Sequence, residues 1–177
     1  MKKLKQNKTM KTINYFKTGI LAITTLVAMN SCSVATDNIE VEQKNQTFEF
    51  EDVMTQVDIN SETTFYATEG VTSENIQKAT ITSIELSKND SLSFSEVESI
   101  AVSIMSDDID MVSVALLNPI PEGSKTISLE FAEEVDIAPF IKAGDFYLIM
   151  DAGFKNEDFS TSKKMDATIK YNIEVSK

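Results

Sequence analysis

The feature that most constrains the fold is a strict alternation of apolar and polar side chains close to the C-terminus. A period of two puts the apolar side chains on one face of an extended strand and the polar ones on the other. One wet face is typical of an antiparallel sheet, because parallel sheets are covered by helices on both faces. The alternation therefore predicts an antiparallel sheet with one buried face. Its apolar positions are Met165, Ala167, Ile169, Tyr171, Ile173 and Val175.

Shorter runs of the same character precede this strand. The alternation at 48–50 and the alternation at 57–59 are in opposite phases, which predicts a bend or a bulge near residues 52–54. The continuous apolar run at 146–150 predicts a central strand that is buried on both faces. Further strands are predicted from the runs at 84–86, 100–104, 111–117 and 127–131.

Turn-forming residues separate these runs. Residues 106–110 predict a hairpin loop. Residues 118–123 contain two prolines, which cannot lie in a central strand, and therefore predict a loop. Residues 88–90 predict a turn, and residues 153–163 predict a mostly polar loop.

Two short helices are predicted between the strands. One covers residues 73–78 with Ser73 as its N-cap, and the other covers residues 136–142 with Asp136 as its N-cap and Pro139 in its first turn. About seven or eight short strands with so few helical residues predict an all-β fold. We expect an antiparallel β-sandwich that is immunoglobulin-like in architecture. A small closed barrel is the alternative.

The first 31 residues differ from the rest of the chain in charge. They carry six lysines and no acid, whereas residues 32–177 carry ten lysines and all 28 acids, a formal charge of −18. The run at 20–29 is apolar except for two threonines, and it is too short to span a bilayer, which takes about 20 residues. A basic segment that is followed by a short apolar run and small residues predicts a secretory signal peptide.

The only cysteine of the chain follows this apolar run. The residues Met29-Asn30-Ser31-Cys32 resemble the lipobox of a bacterial lipoprotein, in which the signal is cleaved before the cysteine and the cysteine is acylated. The loose box and the arginine-free composition are similar to those of Bacteroidetes outer-membrane lipoproteins. The resemblance implies cleavage between Ser31 and Cys32 and lipid attachment at Cys32. The alternative is an ordinary cysteine just past a conventional cleavage site.

The resemblance implies a chain in three parts. Residues 1–31 are a signal peptide that is removed, residues 32–46 are the lipidated cysteine with a flexible tether, and residues 47–177 are the β-sandwich domain. The acyl chains on Cys32 provide the contact with the membrane, since two or more chains anchor a protein stably. By analogy with the lipoproteins of enteric bacteria, Ser33 in place of an aspartate after the cysteine implies the outer membrane, on its periplasmic or its cell-surface face.

The composition argues against most catalytic chemistry. The chain has no histidine and no arginine, which excludes Ser-His-Asp and Cys-His catalysis and a guanidinium clamp for phosphate. One cysteine excludes an internal disulfide and a cysteine-rich zinc site. The acidic charge disfavours nucleic acid as a partner. We therefore expect no catalytic residue, no metal site and no cofactor.

Three local clusters contain residues of the kinds that bind metals or sugars or that carry out catalysis. The aspartates of residues 107–110 are of the kind that binds calcium, but they lack the EF-hand spacing and are interpreted as a solvated turn. The acids of residues 133–136 are interpreted as the entry to the second helix. Phe65 and Tyr66 form an adjacent aromatic pair, which is interpreted as core packing rather than as a platform for a sugar ring.

These observations predict a non-enzymatic lipoprotein anchored in the outer membrane, with a binding or structural role and a protein or a glycan as its partner. The alternative is a surface adhesin or fimbrial-type subunit that uses strand addition, which an exposed, unpaired edge strand would support. A glycan hydrolase is disfavoured. It needs two carboxylates in unlike environments within one cleft, and no pair of acids stands out in the sequence.

Overall fold

The computed structural model describes residues 35–88, 92–131 and 134–177. Two short helices, α1 (Ser61–Thr64) and α2 (Ala138–Ala143), and one 3-10 turn (Phe94–Glu96) lie within them. No helix among the described residues is long and apolar enough to cross a membrane. The strands found in these residues are β1 (Thr36–Phe50), β2 (Met54–Asn60), β3 (Ile76–Lys88), β4 (Val97–Met105), β5 (Val112–Leu117), β6 (Thr126–Ser128), β7 (Asp145–Phe154) and β8 (Lys163–Ser176).

These strands form two four-stranded antiparallel sheets that pack against each other. Sheet A has the order β1-β8-β3-β6, and sheet B has the order β2-β7-β4-β5. The predicted all-β sandwich of about seven or eight strands is confirmed. Every connection except β4–β5 passes from one sheet to the other. This connectivity is that of a jelly roll, so the likeness to an immunoglobulin domain is limited to the two packed sheets.

The strand predicted from the C-terminal alternation is β8, which lies inside sheet A. It pairs with β1 on one side and with β3 on the other. Every second side chain from Lys163 to Val175 is buried in the core, and the residues between them are half-buried on the outer face of the sheet. The prediction of one buried and one wet face is confirmed.

The phase change near residues 52–54 marks the passage from one sheet to the other. β1 ends at Phe50 in sheet A, residues 51–53 form a bend, and β2 begins at Met54 in sheet B. Phe50 and Ile59 are both buried in the core although they lie in opposite phases. The predicted bend is confirmed, and its cause is that the inner faces of two packed sheets point in opposite directions.

The prediction of a flexible tether over residues 32–46 is wrong for residues 36–46, which form the first part of β1. They pair with β8, starting with Thr36 opposite Ser176. β1 is an edge strand that backbone hydrogen bonds hold in the sheet, whereas most of its side chains before Thr47 remain exposed or half-buried. A polar edge strand of this kind lacks the apolar alternation from which strands are predicted.

The helix predicted at residues 73–78 is absent from the structure. Residues 73–75 form a turn, and β3 begins at Ile76, which is fully buried and lies opposite Val175. The turn is closed by hydrogen bonds of the Asn75 side chain. Its Oδ1 accepts from the Thr72 N–H (2.9 Å), and its Nδ2 donates to the Gly70 backbone carbonyl (2.8 Å). Asparagine commonly bonds to nearby backbone in this way and thereby competes with a helix.

The second predicted helix is present as α2, but Asp136 is not its N-cap. Ile137 is the N-cap residue, and Pro139 lies in the first turn as predicted. The Asp136 carboxylate instead accepts hydrogen bonds from the backbone N–H groups of Ala138 and Ala79, both at 3.0 Å. This residue therefore joins the start of α2 to β3.

The run at 146–150 lies in β7, which is an inner strand of sheet B as predicted. It is not buried on both faces, because Tyr147 and Ile149 are half-buried on the outer face of the sheet. The predicted loops at 106–110 and 118–123 are confirmed, and the loop predicted over 153–163 covers residues 155–162. The turn predicted at 88–90 lies outside the described residues from Asn89 on.

The hydroxyl of Tyr171 lies inside the core and makes the stability of the fold sensitive to alkaline pH. It donates to the Gln43 side chain at 3.0 Å, and burial raises the pKa of Tyr171 well above its usual value of about 10. The folded state therefore favours the neutral phenol, and this contribution is complete below pH ~10 and is lost as the pH rises towards the folded-state pKa. Above pH ~10 we expect the free energy of unfolding to fall by about 1.4 kcal/mol per pH unit.

Denaturant titrations of the wild type and of Tyr171→Phe measure this effect. They cover pH ~8 to pH ~11.5, from about two units below the usual tyrosine pKa to about 1.5 units above it. The variant lacks the titrating group, so the difference in slope between the two proteins isolates it from the lysines. Equal slopes in the two proteins would contradict the prediction.

Candidate functional site

The sandwich has two ends that carry different features. The terminal end is the one at which Thr36 of β1 pairs with Ser176 of β8. The distal end is the opposite one, where β1 ends at Phe50 and where the connections 118–125 and 155–162 lie. β8 runs from one end to the other, and its 14 residues at about 3.3 Å each separate the ends by about 45 Å.

An open cleft of about 420 Å³ lies at the distal end, and we call it the distal cleft. It forms where the 3-10 turn, the start of β4, the β5–β6 connection and Lys155 meet. Two backbone hydrogen bonds join these segments: Ile120 N–H donates to the Glu98 carbonyl (3.3 Å), and Lys155 N–H donates to the Glu96 carbonyl (2.9 Å). The volume lies within the range of small-molecule sites, about 300–1,000 Å³.

The lining of the distal cleft combines apolar and polar side chains. Its apolar side chains are buried except that of Pro119, and its charged side chains are exposed at the rim. Hydroxyl groups of two serines and the amide of an asparagine add hydrogen-bonding groups of both kinds. This combination suits a polar molecule with one apolar face. The residues are Phe94, Val97 and Ile120 (apolar and buried), Pro119 (apolar and exposed), Glu98, Glu122 and Lys155 (charged), and Ser95, Ser99 and Asn118.

Gly153 of β7 makes room for Ser99 in this lining. A Cβ atom at Gly153 would lie 2.7 Å from the Ser99 Oγ, closer than a Cβ atom approaches another atom. The two residues face each other across the β4–β7 ladder. The absence of a side chain at Gly153 therefore allows the Ser99 hydroxyl its position beside the cleft.

Lys163 fastens the start of β8 to the segments that line the cleft. Its side chain is only 9% exposed, and its Nζ lies 3.7 Å from the Glu96 carboxylate. The same Nζ lies over the rings of Phe154 and Phe159, at 5.0 and 5.4 Å from their centroids, and donates to the Asn156 carbonyl at 3.4 Å. Cation–π contacts of this kind are stronger away from water. Lys163 therefore holds the connection 155–162 in place.

The predicted cleavage and lipid-attachment residues, Ser31 and Cys32, lie outside the described residues, as does the whole predicted signal peptide at 1–31. Their assignment stays a prediction.

The acidic loop between β4 and β5 lies at the terminal end, far from the distal cleft. The Tyr147 hydroxyl donates to Asp107 at 3.5 Å. The negative charge of Asp107, followed by burial and by Asp58, raises the pKa of Tyr147. Asp108 and Asp110 lie in the same loop, and within residues 35–88, 92–131 and 134–177 no group of three or more ligating side chains is placed to hold a metal ion.

The other two clusters have structural contacts. Glu134 forms an ion pair with Lys78 of β3 at 2.6 Å, and the resulting hydrogen bond raises the pKa of Lys78. Glu133 lies outside the described residues. Phe65 is fully buried, and the Tyr66 hydroxyl donates to the Ile141 carbonyl at 2.8 Å, so the interpretation of this pair as core packing is confirmed.

The distal cleft could not be found from the sequence. Glu98, Glu122 and Lys155 are far apart in the chain, and each lies in a segment without a recognisable binding motif. The jelly-roll connectivity brings them to the same end of the sandwich, and prolines at the β5–β6 connection are the one local signal of a shaped loop there. No family model matches the chain, and a comparison with curated proteins gives no match.

Proposed function

We propose that this protein is a non-enzymatic lipoprotein of the outer membrane, anchored through Cys32, and that it binds a small polar ligand in the distal cleft. The observation that carries the proposal is the position of the cleft. The cleft has the size of a ligand site and lies at the distal end of the sandwich. Thr36, which follows closely after the cysteine in the chain, lies at the opposite, terminal end.

The start of β1 supports an anchored domain with a defined orientation. Only residues 33–35 separate Cys32 from Thr36, and such a link spans at most about 14 Å. Acyl chains on Cys32 would hold the terminal end of the sandwich close to the membrane surface. The distal cleft would then face away from the membrane, on the periplasmic or the cell-surface side, where a soluble ligand can reach it.

The side chains of the cleft support binding rather than catalysis. Glu98 and Glu122, the two carboxylates of the lining, are both exposed to water. Hydrolysis by a pair of carboxyl groups depends on unlike surroundings, one of them shielded from water, so that one group donates a proton while the other stays ionised. The chain also has no histidine to act as a general base.

Filling the distal cleft is expected to abolish ligand binding without affecting the fold. Ser95 is exposed in the 3-10 turn, and Ser95→Trp places an indole ring in the cleft, whereas Ser113→Trp adds the same ring to an exposed position of β5. Native mass spectrometry of protein extracted from its own membrane compares the bound mass in the two variants. We expect a small bound molecule in the wild type and in Ser113→Trp, and none in Ser95→Trp.

Ser95→Trp and Ser113→Trp both replace an exposed serine by tryptophan, so a difference in bound ligand between them reports on the distal cleft. Exposed substitutions change stability by no more than about 0.5 kcal/mol, so both proteins should melt like the wild type. A wild type without any bound molecule, or equal occupancy in the two variants, would contradict ligand binding in the cleft.

A second candidate function is partner binding by strand addition, as in a surface adhesin or a fimbrial-type subunit. A specific observation favours it: β2 is an edge strand of sheet B with an exposed outer side. A sheet edge offers backbone N–H and C=O groups to which an extended segment of another protein can bind.

A further inference from the structure

The two sheets differ in how their acidic side chains are balanced. The strands of sheet A contain six lysines and seven acids, and those of sheet B contain four acids and no lysine. Lysines of sheet A form ion pairs with acids of the same sheet, such as Lys164 with Glu49 at 2.9 Å. The acids of sheet B form no ion pair within the described parts of the chain. They are Asp58, Glu98, Asp145 and Asp151.

The edge strands also differ in how they are protected against pairing with another chain. β1 carries Lys44 and a shift of register between Gln43 and Gln46. β6 has three residues, and β5 is bonded on its outer side, where Leu116 and Glu130 exchange backbone hydrogen bonds of 2.8 and 3.0 Å. β2 has seven residues in unbroken register with β7, and it contains neither lysine nor proline. Charged residues, prolines and bulges usually keep an edge strand from pairing with another chain. β2 has no bulge and no basic residue.

The backbone of β2 presents hydrogen-bonding groups to the outside. Ala152 N–H donates to the Val53 carbonyl at 2.8 Å, which makes these two residues a hydrogen-bonded pair of the β2–β7 ladder. Such pairs alternate along an antiparallel ladder, so Gln56 and Asp58 turn their N–H and C=O groups away from β7. Within the described chain, neither residue has a hydrogen-bond partner on that side.

The side chains beside this edge form an apolar strip with acidic ends. Met54 is 57% exposed on β2, and Ile149 lies half-buried in the neighbouring strand, opposite Gln56. Asp151 lies opposite Met54, and Asp58 lies opposite Tyr147. The charges of Asp107 and Asp58 raise the pKa of Tyr147, which is consistent with a negative potential at this end of the strip.

The charges select one kind of occupant. A second copy of this chain, paired edge to edge through β2, would bring acids without any lysine against each other, and like charges on facing strands are destabilising. A strand with lysine or arginine on alternate residues would instead place cations beside Asp58 on the outer face of sheet B, and the aliphatic stems of these side chains would cover Met54 on the same face.

We propose that the free edge of β2 binds an extended, basic segment of a partner protein, which adds to sheet B as a fifth strand. The proposal rests on the second candidate function above and assigns to it the strand that pairs and the charge of the partner. It does not depend on the distal cleft, which lies on other segments of the chain.

The test uses the mature protein, extracted from its membrane in detergent, and two synthetic octapeptides, one with alternating lysine and valine and one with alternating glutamate and valine. Calorimetry measures binding, and amide hydrogen exchange locates it. We expect the lysine peptide to bind, and to slow exchange at Gln56 and Asp58 by about tenfold or more. The glutamate peptide should not bind.

Two variants test the role of the edge itself. Gln56→Pro removes one outward N–H and leaves the bonds to β7 intact, because proline is tolerated where the N–H faces solvent on an edge strand. We expect it to weaken the lysine peptide by about tenfold at an unchanged melting temperature. Should this variant fail to fold, Asp58→Lys is compared with Glu85→Lys, an exposed site on sheet A with the same change of charge, and only Asp58→Lys should weaken binding.

Several outcomes would overturn the proposal. A folded Gln56→Pro that binds the lysine peptide as the wild type does, or protection of another edge strand, places the contact elsewhere. If the glutamate peptide also protected β2, the preference for a basic partner would be contradicted, and only strand addition itself would stand. A wild-type dimer that Gln56→Pro converts to a monomer would make a second copy the occupant.

Discussion

Replacement of Phe65 by alanine is expected to lower the free energy of unfolding by about 3–5 kcal/mol, the cost of deleting a fully buried phenylalanine side chain. Phe65 follows α1 and is 0% exposed. Its ring stacks on Phe146 of sheet B, with centroids 6.1 Å apart, and forms a T-shaped pair with Tyr171 of sheet A, with centroids 5.0 Å apart. The substitution removes a contact that joins both sheets, and the backbone around it cannot close the cavity without shifting two strands.

Tyr66→Phe is the matched control for this prediction, because it changes the neighbouring aromatic residue and removes a single hydroxyl. The loss of its hydrogen bond to the Ile141 carbonyl is expected to cost about 1 kcal/mol. Urea denaturation of both variants measures the two values. Equal losses, or a Phe65→Ala protein as stable as the wild type, would show that Phe65 does not pack as the structure has it.

Side-chain alternation made the central strands predictable. In β8, and in the strands on either side of residues 51–53, the sequence alternation matches the burial of the side chains. The reason is that successive side chains of a strand point alternately into the core and away from it. The first half of β1 was not predicted as a strand, because its sequence lacks this apolar alternation. Its residues are held by backbone bonds to β8 while their side chains stay largely in solvent, so the chain there looks like a polar linker.

Strand order could not be predicted in the same way. Alternation says which face of a strand is buried, but it does not say which strand lies beside it, and β1 pairs with β8 across almost the whole domain. The distal cleft depends on that order, because Glu98, Glu122 and Lys155 meet only once sheet B is assembled and its connections lie side by side. The same holds for the β2 edge, which is an edge only by virtue of its place in the sheet.

The protein is expected to leave the membrane fraction when Cys32 is replaced by alanine. Each buried methylene of an acyl chain contributes about 0.8 kcal/mol, so two or more chains hold a protein firmly, and removal of their attachment residue removes that whole contribution. The rest of the chain gives no electrostatic compensation, since residues 32–177 carry ten lysines against 28 acids and are repelled by anionic headgroups.

Fractionation of cells grown with an alkynyl fatty acid measures both parts of this prediction, the location of the protein and its acylation. Cys32→Ala should lose the label and move to the soluble fraction, whereas Ser31→Ala, which keeps a small residue before the cysteine, should retain both. A Cys32→Ala protein that still carries the label and still sediments with membranes would show that the lipid is attached elsewhere. Because Thr36 already belongs to β1, the released domain should keep the melting temperature of the anchored one, so that loss of the membrane is separable from loss of the fold.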